Sequence, residues 1–91
     1  MLDIGWAVRD MTPNRPVMLR GQMHRRIATE AMDPLLVTAC AMAGGDPRDC
    51  AILISCDLCA ISEGLQHAVR ERLGPRLPSV PADNILLNAT H

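Results

Sequence analysis

The 91-residue sequence has no phenylalanine, no tyrosine and no lysine, and Trp6 is its only aromatic residue. Without aromatic side chains there are no stacking platforms for single-stranded nucleic acid. Nine arginines against ten acidic residues leave a net charge of −1, so the electrostatic footprint of a nucleic-acid partner is missing too. No apolar run approaches the roughly 20 residues of a membrane-spanning helix. Met1 to Trp6 lacks the basic segment and long apolar stretch of a secretory signal, so the cytoplasm is the expected location. No Gly-x-Gly-x-x-Gly follows a strand and no Gly-Lys-Ser/Thr occurs, which removes both nucleotide-binding fingerprints.

What is present is apolar: 48% of residues, enough to exclude intrinsic disorder. The core must be built from Leu, Ile, Val, Ala, Met and Cys. A chain this short buries only about 60–65% of its unfolded surface and is marginal alone. The cysteines are Cys40, Cys50, Cys56 and Cys59. Cys56-x-x-Cys59 raises a metal or redox reading, but a zinc site of that kind needs a second closely spaced pair, and Cys40 and Cys50 are ten apart. In a reducing compartment all four read as free, small apolar core residues.

Leu2 to Val8 reads as a first strand with Leu2, Ile4, Trp6 and Val8 on one face, Trp6 directed to the core. Arg9 to Asn14 is turn-rich, and Pro16 to Met23 holds a short extended piece. Leu35–Met42 and Cys50–Cys56 flank Gly44-Gly45-Asp46-Pro47-Arg48-Asp49 and predict an antiparallel hairpin. Ala51-Ile52-Leu53-Ile54 is apolar on both faces, the pattern of a strand covered on both sides. Ser62 is an N-cap for a helix whose stripe is Leu65, Val69 and Leu73, with Ala68 beside it, ending at Gly74-Pro75. Asn84–Asn88 is another strand. The expected fold is therefore α/β: a mixed sheet with an antiparallel hairpin followed by a right-handed βαβ unit, part of a larger layered α/β domain. The edge beyond the last strand is expected to seek a partner.

In a parallel βαβ unit the two strands end on the same side. Asp57 follows the first, and Asn88-Ala89-Thr90-His91 completes the second. Ligands of open α/β sheets gather at that rim. Asp57 reads either as a cap accepting backbone N–H groups or as a functional carboxylate there. His24, beside Arg20, Arg25 and Arg26, reads as a solvated basic loop or an anion contact. His67, Arg70, Glu71 and Arg72 fall mostly on the wet face of the helix. Met11, Met18, Met23, Met32 and Met42 suit either core filling or a lipid groove.

Several stretches resemble a known family. Gly5-Trp6-Ala7-Val8-Arg9-Asp10-Met11-Thr12-Pro13, Met18-Leu19-Arg20-Gly21, Asp33-Pro34-Leu35 through Ala41, Ile54-Ser55-Cys56-Asp57-Leu58 and Asn84 through His91 occur in the order seen in the N-terminal domain of the neutral/alkaline non-lysosomal ceramidases. Ala89-Thr90-His91 is similar to the opening of that family's Ala-Thr-His-Thr-His motif. The resemblance implies that residues 1–91 are the N-terminal part of a single catalytic domain. It implies a zinc-dependent amide hydrolase that cleaves an N-acyl bond of a lipid-like substrate by metal-bound hydroxide, and an inactive fragment when isolated. His91 is then a zinc ligand, Asp57 a candidate for holding its second ring nitrogen, and Gly21 a candidate substrate-binding position. The remaining zinc ligands and the rest of the domain are expected outside these residues. The chain departs from the family at Met11, at Gln22-Met23 after Gly21, and at Met32 before Asp33-Pro34. The alternative is a non-catalytic α/β binding or assembly module on the same scaffold.

Overall fold

A computed structural model describes residues 1–21, 23–46 and 48–91. Gln22 of the departure after Gly21 and Pro47 of the glycine-rich turn lie outside them. The chain runs β1 (Asp3–Asp10), β2 (Val17–Met18), β3 (Ile27–Ala28), β4 (Leu36–Ala43), β5 (Cys50–Cys56), α1 (Glu63–Leu73), a 3-10 turn (Ala82–Asn84) and β6 (Ile85–Ala89). Four strands form one sheet in the order β1-β4-β5-β6, and β2 pairs with β3 apart from it. β1–β4 and β4–β5 are antiparallel; β5 and β6 are parallel across α1. The fold is thus α/β with a mixed sheet.

Local chemistry accounts for the β4–β5 turn and for both ends of α1. The β4–β5 turn closes with the Gly44 N–H on the Asp49 carbonyl at 2.7 Å, while the Arg48 N–H donates to Asp46 Oδ1 at 2.8 Å. That bond lets a short aspartate stand in for a backbone acceptor. Ser62 Oγ accepts from the Leu65 N–H at 3.1 Å and supplies one of the acceptors that a helix start lacks. Gly74 stays in the right-handed region at φ −49°, so the helix stops without a left-handed residue and its glycine freedom is unused.

One face of the sheet forms the core. Ile54, Cys56 and Ile85 are buried, with Val37, Ala39, Ile52 and Leu87 beside them and Val69 and Leu73 of α1 laid across. Leu65 and Ala68 of the expected stripe are exposed, because the helix meets the sheet through its later turns.

The opposite face is open, and here the expectations fail. Trp6 is 72% exposed rather than core, and Leu53 on the two-sided apolar strand is 41% exposed. The register aligns Trp6, Cys40, Leu53 and Leu86 on the side away from the core. β5 is central in the sheet but covered once. Met11 packs against the core, whereas Met18, Met23 and Met32 are exposed, so the methionines are not general filling. All four cysteines are free, but only Cys56 is buried.

The edge after β6 is also not left open. Gln66 Oε1 accepts from the Leu87 N–H at 3.0 Å, and Arg70 Nε donates to the Ile85 carbonyl at 3.0 Å. Arg70 therefore leaves the wet face and, with Gln66, occupies backbone groups that another strand would need. His67 stays exposed and meets Glu71 at 3.1 Å. No helix among the described residues is long and apolar enough to cross a membrane.

Candidate functional site

β4 and β5 pair with Val37 opposite Cys56, which brings the start of β4 to the end of β5. Asp57, one residue past β5, is held from both sides of its peptide. Its N–H donates to the Leu36 carbonyl at 3.0 Å, and its Oδ2 accepts from the Leu36 N–H at 2.9 Å. Asp57 Oδ1 accepts from the Thr90 hydroxyl at 3.1 Å. One carboxylate thus ties the start of β4 to the segment after β6.

Beyond β6 the backbone stays fastened to the β5 exit. The Thr90 N–H donates to the Cys56 carbonyl and the His91 N–H to the Leu58 carbonyl, each at 2.9 Å. His91 is exposed, with φ at 69°, a left-handed value uncommon for a side chain with a Cβ. On the facing side is Gly21, at φ 99°. A Cβ added there would stand 2.8 Å from Cys59 Sγ, so glycine is needed both for its backbone angle and for the approach of the thiol.

Gly21, Asp57, Cys59, Thr90 and His91 line one cleft of about 810 Å³, whose apolar wall includes Leu19, Leu35 and Leu58. The three residues singled out from sequence, His91, Asp57 and Gly21, are therefore brought together. Both Asp57 oxygens hold other partners, the Leu36 N–H and the Thr90 hydroxyl. The carboxylate accepts a backbone N–H of β4, not of the helix start. Cys59, expected as a small core residue, is half-buried on the cleft instead, and Thr90, expected only as part of the rim segment, is a partner of Asp57. Thr90 was legible as the neighbour of His91; the contact of Cys59 with Gly21 joins distant segments and leaves no local signal. His24 is exposed and outside the cleft lining, whereas Arg20 is part of it.

Two groups have shifted acidities. Asp10, accepting from Thr12, is held below the usual carboxylate range. Burial, and secondarily the charge of Asp57, push the Cys56 thiol up. A raised thiol leaves stability complete below 9.0, the ordinary value, and lost as pH rises through the folded-state value. Cys56 is expected to be the last of the four cysteines alkylated by iodoacetamide at neutral pH, and mass spectrometry of partially labelled protein reads that order. Early labelling of Cys56 would show that its thiol is open to solvent.

The donor set suits only part of a zinc centre. His91 is an imidazole just past a strand, but among the described residues no group of three His, Cys, Asp or Glu is placed to hold a metal ion. A catalytic zinc takes three protein ligands. No protein family, curated protein or solved structure matches the chain, so the comparisons lend no support to membership of the ceramidases.

Proposed function

We propose that these residues form one wall of a zinc-dependent amide hydrolase site resembling that of neutral ceramidase, acting on an N-acyl bond of a lipid-like substrate. The observation that carries the reading is the parallel β5–β6 pair, whose exits put Asp57, Thr90 and His91 on one cleft with Gly21. His91 contributes one ligand, and the others belong to chain outside these 91 residues. Zinc, when bound, supplies Lewis acidity and an activated water, both of which an unreactive amide carbonyl requires. Asp57 acts on His91 indirectly here, through the Thr90 hydroxyl that fastens the strand exit. A second hollow of about 340 Å³, lined in part by Val17, Leu19, Ala28 and Leu35, shares Val17, Leu19 and Leu35 with the cleft. It offers an apolar chain somewhere to lie next to the polar rim.

The test uses the natural protein including whatever follows His91. Zinc content and hydrolysis of an N-acyl lipid are measured with and without His91→Ala. The expected result is loss of bound zinc and a fall in kcat of at least about 100-fold, more than loss of an outer partner costs. Unchanged zinc content overturns the ligand assignment. Residues 1–91 alone are expected to show no turnover with added zinc. The second reading, a non-catalytic binding or assembly module, is favoured by the open sheet face. Thr-His after His91 supports the hydrolase; an unrelated continuation supports the module.

A further inference from the structure

The uncovered side of the sheet is a continuous apolar surface. Ile4, Trp6 and Val8 come from β1, Leu36 from β4, Leu53 from β5 and Leu86 from β6, and each is between 36% and 72% exposed. The register puts Ile4 opposite Met42, Trp6 opposite Cys40, Asp10 opposite Leu36, Cys40 opposite Leu53 and Leu53 opposite Leu86, so the apolar residues of these strands share one face. The one charged side chain on this face within the strands is Asp10, at the end of β1 and bonded to the Thr12 N–H at 2.8 Å. Isolated monomers rarely expose an apolar patch of this extent.

We infer that a second copy of this chain covers the face, the two sheets packing against each other about a two-fold axis. The area favours that occupant. At roughly 200 Å² for a fully exposed large apolar residue, the six side chains present on the order of 600 Å² to solvent. A stable interface takes about 600–1,000 Å² from each partner. The chemistry agrees: a two-fold contact sets the same patch against itself, so it must be self-complementary. A face almost without charge meets its own copy with no like-charge penalty, whereas a charged partner would find nothing to pair with. Packed sheets lie about 10 Å apart with their side chains interdigitated, which suits the alternation of the large Trp6 and Leu53 with the smaller Cys40. The inference rests on the sheet face and takes nothing from the cleft residues of the hydrolase reading.

Trp6, the only aromatic residue, lies on the patch and reports on it directly. Sedimentation equilibrium of the full chain across the micromolar range is expected to show a shift from one to two chain masses. Trp6 emission should move to the blue with the same midpoint. Leu53→Lys, in the middle of the face, is expected to keep the far-ultraviolet dichroism and to weaken the dimer by more than about tenfold, since it buries an unpaired charge. Should Leu53→Lys fail to fold, Trp6→Arg on the edge strand replaces it, and the wild-type mass and emission still decide the matter. A wild-type monomer throughout the range overturns the inference, whether its indole is solvent-exposed or shielded within one chain. Polydisperse particles larger than two copies also overturn it, as does a dimer that Leu53→Lys leaves intact, which would be joined at its edges.

Discussion

Ile85→Ala is expected to remove about 2–5 kcal/mol, a large part of the stability of the fold. Ile85 is 1% exposed, the most completely enclosed large side chain among the described residues, and Ile54 and Cys56 are the buried residues clustered with it there. Removing a buried isoleucine down to alanine costs about 2–5 kcal/mol, the transfer term plus the cavity left behind. A chain of this length has about 5–14 kcal/mol of stability at best, and one sheet face without cover places it at the low end. The cavity would open where β6, β5 and α1 meet, so collapse around it would have to bend the parallel pair. Ile85→Val, which trims one methyl group, is expected to cost about 0.5–1.5 kcal/mol. His67→Ala, on an exposed pair with Glu71, should cost less than about 1 kcal/mol. Urea denaturation followed by far-ultraviolet dichroism ranks the three. An Ile85→Ala protein with a wild-type midpoint would mean that the core lies elsewhere.

Asp57→Ala is the second large effect. The carboxylate accepts from the Leu36 N–H and from the Thr90 hydroxyl, and both donors lose their partner in the variant. Each bond to a charged acceptor is worth about 1.5–3 kcal/mol in shielded surroundings, and exposure of this corner reduces the pair to a combined loss of about 2 kcal/mol. Asp57→Asn keeps one acceptor oxygen and should lose about half as much. Hydrogen exchange separates a local from a global effect. The Leu36 amide is expected to exchange about 30-fold faster in Asp57→Ala, the equivalent of 2 kcal/mol. The Ile54 amide, in the middle of β5, should change less if the opening is local. Equal protection of Leu36 in the two proteins would show that the Asp57 clasp does not hold the strand exits.

Alternation and punctuation in the sequence were enough to read the sheet. Leu2 to Val8, the runs around the Gly44-Gly45 turn and the stripe ending at Leu73 are local patterns with a period, and each became the expected element within one or two residues. What a period cannot say is what lies above a face. Ile4, Trp6 and Val8 alternate as core residues do, yet the side they share has no layer over it. β2 lies within the extended piece expected over Pro16–Met23, but β3 and the pairing escaped for another reason: two residues per strand are too few to carry a period, and their pairing depends on the chain path between them. At the site, topology alone foretold that Asp57 and His91 share a rim. The partners of Asp57 were not readable, because the Leu36 N–H reaches it only through the β4–β5 register. The approach of Gly21 to Cys59 depends on how the β2–β3 segment lies over the strand exits, a long-range matter.

Gln66 and Arg70 reach down from the helix and occupy the outward backbone groups of Leu87 and Ile85. Fibrous growth by strand addition requires a free margin at both ends of every unit, so that each newcomer offers a template to the next. A molecule with one margin already taken can recruit a neighbour only along β1. Two such molecules joined there would terminate each other, and ribbon-like polymerisation would stall at its first step.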